Sequence, residues 1–476
     1  MLFNSWNFLL FFPVVTVLYF LFSHPYRWFI LLVASCFFYM AYVPKYLLVL
    51  AFLILMDYSA GIMIARSPQR YKKIFLIVSV LATCSVLFVF KYFDFFNENL
   101  SRLAVFLHWQ YMPISIQWLL PIGLSFHTFQ SLSYVIEVYK GEQKVEKNLG
   151  IYALYVMFYP QLVAGPIERP QQMLHQFRER KTFDYQRVVE GLILMSWGLF
   201  KKVVIADNLA ELVTKVYSQP MNYQGGALLF ATLFFSIQIY CDFSGYTDIA
   251  RGAAKVMGFE LSINFNHPYI SKSLSEFWRR WHISLSSWLR DYVYTPITIK
   301  KRYWGTWGAV FALMITFVVS GIWHGASWTF VAWGALHGIG LSFEALTAKY
   351  RKKYTKYIPK WLYALLGLLF TFSFVSFTYV FFRAQTMHDA IYIIRHLLDP
   401  INFALIEQTW LIADINFAVA MVVLLQIVEF FQRRFTLQQV FQLRWWYRWS
   451  LYYSLMFTLI LGGQWFAPRQ FIYFQF

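Results

Sequence analysis

The fold of this chain is decided by an apolar block at residues 306–346, which reads TWGAVFALMITFVVSGIWHGASWTFVAWGALHGIGLSFEAL. The block holds two runs close to the roughly 20 apolar residues that a helix needs to cross the hydrocarbon core of a bilayer. Similar runs recur from the first residues of the chain to the last. We therefore predict an all-α, polytopic membrane protein with about eleven transmembrane helices and additional re-entrant or interfacial helices.

The composition supports the same class of protein. With 476 residues, 59% of them hydrophobic and only 13% charged, the chain has too little polar surface to cover soluble domains of this total size. The first apolar run, residues 7–23, lacks a basic region before it and a small-residue cleavage site after it, so we predict a retained membrane helix. The cysteines lie far apart in apolar stretches, without the spacing of a metal site or a disulfide framework, and we expect all of them to be buried: Cys36, Cys84 and Cys241.

The formal charge of +18 follows a pattern that is typical of membrane topology and does not indicate a nucleic-acid partner. Lysines and arginines lie in short clusters between the apolar runs, at residues 66–73, 178–187, 300–302, 349–360 and 433–448. The positive-inside rule places these clusters in the cytoplasm, next to anionic lipid head groups. Counting three crossings back from the first cluster predicts that the N-terminus lies outside the membrane.

One segment breaks the pattern of spanning helices. From Asn264 to Tyr303 the chain is rich in Trp, Arg, Ser, His and Pro, and it is too polar to face lipid. Such a segment persists at membrane depth only where it is buried in protein or lines a water-filled cavity. We therefore predict that the chemistry of this chain lies there and in the apolar block that follows.

Two histidines are candidate catalytic residues. His324 lies near the middle of the apolar block, where an ionisable side chain is costly and functional by default, and Gly321 and Gly325 beside it permit a helix break and the close approach of a substrate. Desolvation keeps such an imidazole neutral, which is the form that a general base needs. His282 lies among cationic and aromatic residues of the polar segment. Either histidine could instead only hydrogen-bond a neighbouring helix, and for His337 we favour packing.

Charged residues near these histidines have two interpretations. Asp242 and Asp248 lie in apolar context, where each either forms a structural ion pair, for example with Arg279, or orients a histidine. The basic residues around His282 suit the phosphates of a nucleotide-containing donor such as coenzyme A, but they also fit ordinary positive-inside charge. The sequence has no Walker A motif, dinucleotide fingerprint, Gly-x-Ser-x-Gly or His-Glu-x-x-His, so ATP-driven transport, dinucleotide chemistry, serine hydrolysis and zinc proteolysis lose support.

The longest motifs resemble those of a known family. Residues 264–292, NFNHPYISKSLSEFWRRWHISLSSWLRDY, followed by residues 321–326, GIWHGA, are similar to the signature of the membrane-bound O-acyltransferase (MBOAT) superfamily. Residues 120–126, 160–166 and 242–248 extend the likeness. It is closest to the bacterial branch that includes the membrane subunit of alginate O-acetyltransferase.

The resemblance implies a ring of tilted helices around a central tunnel in a bacterial inner membrane. An MBOAT-type catalytic core would occupy residues 1–385, and accessory transmembrane helices would occupy residues 386–476. His324 matches the essential intramembrane histidine of the family, and His282 matches its second characteristic polar residue. Further residues are expected to line the acyl-CoA site or the tunnel: Arg279, Arg280, Trp281, Ser286, Trp288, Arg290, Asp291, Tyr292, Trp323 and Asp242.

The implied reaction moves acetyl from cytoplasmic acetyl-CoA across the membrane for O-acetylation of an exported polysaccharide, such as alginate, cellulose or another exopolysaccharide. A periplasmic or cell-surface partner protein would complete the transfer, and no bound cofactor or metal is implied. Two alternatives stay open at this point. One is D-alanyl transfer to teichoic acids, or acyl transfer to lipid or protein. The other is a transporter or flippase without chemistry, in which the polar segment only lines a pathway.

Overall fold

The computed structural model describes residues 1–114, 118–435, 437–465 and 469–472. Within these residues the chain is helical and contains no strand, so the predicted all-α fold is confirmed. The α-helices follow in chain order: α1 (Trp6–Leu21), α2 (His24–Met40), α3 (Tyr46–Arg66), α4 (Gln69–Leu87), α5 (Phe93–Phe106), α6 (Leu124–Lys140), α7 (Leu149–Met157), α8 (Pro170–Met173), α9 (Tyr185–Leu199), α10 (Asp207–Tyr217), α11 (Gly226–Met257), α12 (Leu274–Arg280), α13 (Ile283–Leu289), α14 (Thr295–Lys300), α15 (Thr306–His324), α16 (Trp328–Tyr354), α17 (Lys360–Arg383), α18 (Met387–His396), α19 (Phe403–Thr409), α20 (Ile412–Gln432), α21 (Leu437–Phe441) and α22 (Trp445–Gly462). Segments of π-helix lie at Phe88–Tyr92, Phe200–Ala206 and Arg290–Tyr294.

Long apolar helices make this chain a multi-pass membrane protein. In the described part of the chain, six helical stretches are long and apolar enough to cross a bilayer: Tyr46–Arg66, Gln69–Phe106, Gly226–Met257, Thr306–His324, Lys360–Arg383 and Ile412–Gln432. The shorter apolar helix α1 precedes them. The total of about eleven transmembrane helices stays a prediction, because other helices are shorter or more polar than a full span.

The chain folds into two compact units, each built from separate stretches of sequence. The first comprises Met1–Met195 and Ile249–Ser262, and the second comprises Ser196–Asp248 and Ile263–Phe476. Both candidate catalytic histidines belong to the second unit. The predicted boundary at residue 385 stays a prediction, and the helices that follow it, α18 to α22, also belong to the second unit.

Buried carboxylates in the first unit are hydrogen-bonded. Asp57 on α3 is fully buried and accepts hydrogen bonds from Ser79 at 2.6 Å and Thr83 at 3.1 Å, both on α4. Glu168 is also buried and accepts from the backbone N–H and the hydroxyl of Ser262, at 2.6 and 2.9 Å. A buried carboxylate is strongly unfavourable without such donors. These bonds therefore fix α3 against α4 and hold the loop around Glu168 in place.

The prediction that all three cysteines are buried is wrong for two of them. Cys241 on α11 is buried, whereas Cys36 on α2 is half-buried and Cys84 on α4 is exposed. Only 17% of the spanning stretch that carries Cys84 is buried in the protein. In a membrane protein, apolar sequence context therefore does not distinguish a surface that faces lipid from one that faces the protein interior.

Close packing of α15 against α16 positions His324 in the second unit. A Cβ on Gly321 would lie 2.3 Å from the carbonyl oxygen of Phe330, and a Cβ on Gly334 would lie 2.2 Å from that of Phe317. Only glycine fits at such contacts between helices. α15 ends at His324, where the sequence predicted a helix break. The close approach that these glycines permit is made by the neighbouring helix and is not left open for a substrate.

The polar segment folds as short helices instead of a single span. Its tryptophans Trp278, Trp281 and Trp288 are buried, whereas Arg279 and Arg290 are exposed. One face of the segment therefore packs into the second unit while its charged face stays at the surface. Burial in protein, one of the two environments that the sequence predicted, therefore holds for the tryptophan face of the segment.

Candidate active site

His282 lies at the break between α12 and α13. Its backbone adopts the left-handed conformation, with φ 43° and ψ 54°, which is strained for a residue other than glycine. Asn264 holds the break in place. Its carbonyl oxygen accepts a hydrogen bond from the N–H of Ile283 at 2.9 Å, and its side-chain Oδ1 accepts from the N–H and hydroxyl of Ser284 at 3.1 and 2.9 Å. These bonds stabilise a conformation that the backbone alone would not favour.

The same side-chain oxygen determines which nitrogen of His282 carries the proton. Nδ1 of His282 lies 3.1 Å from Oδ1 of Asn264. Because the backbone N–H of Ser284 can only donate, the atom that it contacts must be the amide oxygen and not the amide nitrogen. Nδ1 of His282 must then carry the proton, and Nε2 keeps the lone pair. Burial lowers the pKa of this imidazole to about 3, so the ring is neutral near pH 7.

A buried carboxylate anchors the helix that leads to His282. Glu344 on α16 accepts hydrogen bonds from the backbone N–H groups of Leu274 and Ser275, at 2.7 and 3.0 Å, and from the Ser275 hydroxyl at 2.7 Å. These N–H groups belong to the first turn of α12, where no intrahelical partner exists and a negative charge is favourable. Glu344 therefore connects α12, which leads to His282, with α16, whose partner helix carries His324.

A tryptophan joins the two candidate catalytic histidines. The ring centroid of Trp323 lies 6.2 Å from that of His282 and 4.9 Å from that of His324. On its other sides the His324 ring contacts Trp333 at 4.9 Å and Phe382 at 5.2 Å. His282 is fully buried and His324 is only 4% exposed. The structure thus brings both imidazoles to one indole ring within a water-poor, aromatic surrounding, where electrostatic interactions are strong.

His337 is a third buried histidine with a different role. The indole N–H of Trp278 can only donate, so Nδ1 of His337, at 3.3 Å, must accept that hydrogen bond. Nε2 then carries the proton and donates to the hydroxyl of Thr378 at 3.0 Å. Both ring nitrogens therefore hold neighbouring helices together, in line with the packing that the sequence favoured for this residue.

The other residues that the resemblance implied lie at different depths. Trp281, Trp288, Trp323 and Asp242 are buried, Arg280, Ser286, Asp291 and Tyr292 are half-buried, and Arg279 and Arg290 are exposed. Arg280 is paired with Glu276, with Nη2 at 2.9 Å from the carboxylate, and Nε of Arg290 lies 2.8 Å from Asp291. Two of these arginines are thus engaged by acidic neighbours. Binding of donor phosphates by this cluster stays a prediction.

The two aspartates that lie in apolar stretches, Asp242 and Asp248, form ion pairs, but their partner is not Arg279. Lys202 lies 2.7 Å from Asp242, and Lys201 lies 2.6 Å from Asp248. Both lysines belong to the π-helical segment Phe200–Ala206 and are buried. Sequence reasoning missed these lysines, although the signal for them exists. Two adjacent lysines at the end of an apolar run need buried acidic partners.

The role of Asn264 at the site could not be predicted from the sequence. In the sequence it is the first residue of the polar segment and of the motif at residues 264–292, but neither shows its partner, because its contact with His282 joins residues 18 positions apart across a non-helical turn. Neither the 3.6-residue period of a helix nor the two-residue period of a strand brings such positions together. A polar residue of this kind is found only once the fold is known.

The fold and the site together define a polytopic helical membrane protein in which two buried histidines meet at one tryptophan. The model of the membrane-bound O-acyltransferase family matches residues 73–384, a range that includes both histidines. The chain belongs to this family. It is therefore a membrane O-acyltransferase, and the alternative of a transporter without chemistry is not supported.

Similar proteins are found among bacterial acyltransferases. A probable alginate O-acetylase of Pseudomonas putida is 38% identical over 394 residues, which cover 82% of this chain and 79% of that protein. A peptidoglycan O-acetyltransferase of Helicobacter pylori is 35% identical over 404 residues, covering 79% of this chain and 74% of that protein. A teichoic acid D-alanyltransferase of Streptococcus thermophilus is 31% identical over 290 residues, covering 55% of this chain and 68% of that protein.

Proposed function

We propose that this chain transfers acetyl from cytoplasmic acetyl-CoA to a hydroxyl group on the outer side of a bacterial inner membrane, for O-acetylation of an exported polysaccharide. Two observations support the proposal. The similar O-acetylases of Pseudomonas putida and Helicobacter pylori act on alginate and peptidoglycan, both of which are carbohydrate polymers. The observation that carries it is the meeting of His282 and His324 at Trp323, inside a helical membrane protein of this family.

The proposed chemistry needs a base and a way to hold the acceptor. His324 takes the proton of the acceptor hydroxyl as its oxygen attacks the thioester carbonyl of the donor. The new C–O bond forms, the C–S bond breaks, and the proton is passed to the leaving thiolate of coenzyme A. His282 offers only its Nε2 lone pair to a substrate, because Nδ1–H is bound to Asn264. The reacting hydroxyl has a single proton, which goes to His324, so we assign His282 the role of accepting a hydrogen bond from a second hydroxyl of the acceptor and thereby orienting the acceptor.

The test is transfer of labelled acetyl from acetyl-CoA by the full chain in proteoliposomes. His324→Ala should lower kcat by about 10²- to 10⁴-fold, the usual contribution of a positioned base. The matched control is His337→Gln, which removes another buried histidine whose two nitrogens only bind neighbouring helices. It should lower the melting temperature but leave most of the turnover. Equal turnover by wild type and His324→Ala, at matched folding, would overturn the base assignment.

D-alanyl transfer is a second candidate, and it is favoured by one observation. The teichoic acid D-alanyltransferase that is similar to this chain is named for a different acyl group and a different polymer. The two candidates need different donors, so the donor decides between them. Consumption of acetyl-CoA by the purified chain supports O-acetylation, whereas consumption of only an aminoacyl thioester supports D-alanylation.

A partner protein outside the membrane, to which the acetyl group is handed for the final transfer, is part of the proposal. The orientation assigned to the chain, with the N-terminus outside, follows from the basic clusters. In a cysteine-free background, Tyr42→Cys, in the exposed loop after α2, should react with a membrane-impermeant thiol reagent in intact spheroplasts. Gln69→Cys, at the exposed start of α4, should react only after the membrane is opened. The reverse pattern would overturn this orientation.

A further inference from the structure

The second unit contains a polar cavity that the proposed reaction does not use. Its volume is about 350 Å³, in the lower part of the roughly 300–1,000 Å³ range of small-molecule sites. The side chains that give it its chemistry come from the π-helical segment, α10, α11, the end of α17 and the C-terminal stretch: Lys202, Asp207, Gln238, Asp242, Arg383 and Arg469. Exposed Thr214 and Gln470 also line it, so the cavity reaches the protein surface.

The floor of the cavity is a buried ion network. Nζ of Lys202 lies 2.8 Å from Asp207 and 2.7 Å from Asp242, and all three residues are at least 95% buried. The other oxygen of Asp242 accepts a hydrogen bond from the backbone N–H of Ile472 at 2.7 Å. Lys202 is thus neutralised by two carboxylates and is not a free cation that waits for a ligand.

Two buried acceptors around this floor have no donor in the described part of the chain. They are Oδ2 of Asp207 and Oε1 of Gln238, on residues that are 2% and 8% exposed. An acceptor that is buried without a hydrogen bond destabilises the protein. A ligand with hydroxyl groups would supply the missing donors, which points to a polyol.

Arg383 adds a requirement for negative charge. Its Nη2 reaches only the hydroxyl of Thr214, at 3.4 Å, and its guanidinium lies 5.7 Å from the ring of Tyr217. Among the described residues no carboxylate lies within 4 Å of it, although Arg383 is mostly enclosed. A guanidinium in such a position is suited to bind a carboxylate through its fork of N–H groups. Together with the unmatched acceptors, it indicates a ligand that is both hydroxyl-rich and anionic.

We propose that this cavity binds a sugar unit that carries a carboxylate, with its hydroxyls donating to Asp207 and Gln238 and its carboxylate paired with Arg383. The identification of this sugar as a unit of the acceptor polymer rests on the proposed function, whereas the binding itself does not. In the topology derived from the basic clusters, α17 runs from the cytoplasmic residues 349–360 to Arg383 at its outer end. The cavity then opens on the side where an exported polymer is found.

The cavity lies one residue layer from His282. Phe243, which follows Asp242 on α11, packs edge-on against His282 with ring centroids 4.6 Å apart. Phe471, which precedes Ile472, contacts the same phenylalanine at 5.3 Å. A sugar in the cavity would therefore hold the polymer next to the site from which acetyl leaves, whether or not a partner completes the transfer.

The experiment measures binding of trigalacturonate to the full-length wild-type chain in nanodiscs of neutral lipid, without donor. Its methyl ester, which has the same ring hydroxyls but no charge, is the matched ligand control. We expect the acid to bind at least tenfold more tightly than the ester. Gln238→Leu and Arg383→Gln should each weaken binding of the acid by tenfold or more. Arg395→Gln, which replaces an exposed arginine on α18, should leave that binding unchanged. Equal binding of acid and ester, no binding of either, or unchanged binding in both cavity variants would overturn the proposal.

Two further measurements complete the test. One shows whether a sugar or a lipid head group occupies the cavity, and the other separates failure of the sugar site from failure of the proposed function. Modification of wild-type Arg383 by phenylglyoxal, followed by mass spectrometry, should be slowed by the acid and not by the ester, which tests the site even if the variants fold poorly. Loss of this protection when phosphatidylglycerol replaces the neutral lipid would mean that a lipid head group is the true occupant, and it would overturn the sugar assignment.

Acetyl-CoA consumption is recorded on the same samples. Turnover without acid binding rejects only the sugar site, and acid binding without turnover rejects only the proposed function.

Discussion

Nδ1 of His282 lies 3.1 Å from Oδ1 of Asn264, and the backbone N–H of Ser284 reaches the same oxygen at 3.1 Å. One amide thus fixes three properties of the histidine: its left-handed backbone, its ring orientation and its tautomer. The arrangement requires a proton on Nδ1, and burial, which lowers the pKa of the ring to about 3, leaves Nε2 without a proton near pH 7. A residue that acts on a catalytic histidine in this way is a positioning residue, and its removal should affect chemistry more than binding.

Replacing Asn264 by leucine should therefore lower kcat by roughly ten- to a hundredfold while leaving KM for the donor nearly unchanged. Asn264→Asp should behave differently, because a carboxylate next to the imidazole favours the charged ring and raises the pKa of His282. Its activity should then fall as the pH drops through this raised pKa, while wild type stays active. Steady-state kinetics between pH 5 and pH 8 checks both variants. Identical pH profiles for wild type and Asn264→Asp would limit Asn264 to a structural role.

His282 should also make the stability of the fold depend on pH. Burial lowers its pKa in the folded state to about 3, whereas an exposed histidine in the unfolded chain titrates near its ordinary value of 6.5. The unfolded state therefore binds more protons between these values, and the stability contributed by the neutral buried ring is lost as the pH falls below about 6.5. The loss from this residue should approach 1.4 kcal/mol for each pH unit, on the order set by linkage.

Unfolding by sodium dodecyl sulfate, measured at intervals from pH 7 to pH 4.5, tests this dependence. Wild type should lose stability more steeply than His282→Gln, because glutamine can still donate to Asn264 but takes up no proton. The difference between the two slopes isolates His282 from every other titrating group. Parallel slopes would show that the ring is not held neutral in the folded protein.

Much of the fold and part of the site could be predicted from sequence, for physical reasons. Long apolar runs predict membrane-spanning helices because a helix must match the thickness of the bilayer. His324 and His282 stand out because ionisable groups are rare in such surroundings. Partners were harder to predict. The sequence suggested Arg279 for Asp242, but the structure supplies Lys202, which lies 40 residues earlier and on a different helix. Composition can show that a buried charge needs a partner, but only three-dimensional packing selects which one.

The glycines show the same limit at the level of the backbone. Gly321 beside His324 indicated correctly that something approaches the helix closely, yet the approaching group is the carbonyl oxygen of Phe330. A glycine indicates that another group lies close to the backbone, but it does not indicate which group that is. The burial predicted for Cys84 is wrong for a related reason, since an apolar neighbourhood does not distinguish lipid from protein.

Adding one methyl group between α15 and α16 should disturb the site. In Gly334→Ala the new Cβ would lie 2.2 Å from the Phe317 carbonyl oxygen, so the helices must separate, at a cost of about 1–3 kcal/mol. The displacement reaches His324 at the end of α15, so turnover should fall along with the melting temperature. Ala348→Val, which adds bulk at an exposed position of α16, should change neither. Unchanged stability in Gly334→Ala would mean that the helices are less closely packed than this contact requires.

The buried network around Lys202 should be strongly cooperative. Lys202→Met leaves Asp207 and Asp242 buried without their cation, which costs about 3–5 kcal/mol when one partner of a buried pair is removed. Additional Asp207→Asn and Asp242→Asn substitutions remove the uncompensated charge, and the triple variant should recover most of the lost stability. Arg102→Met, which breaks a solvent-exposed pair with Glu98, should leave the melting temperature unchanged. If the triple variant is no more stable than Lys202→Met alone, the three residues do not act as one ion network.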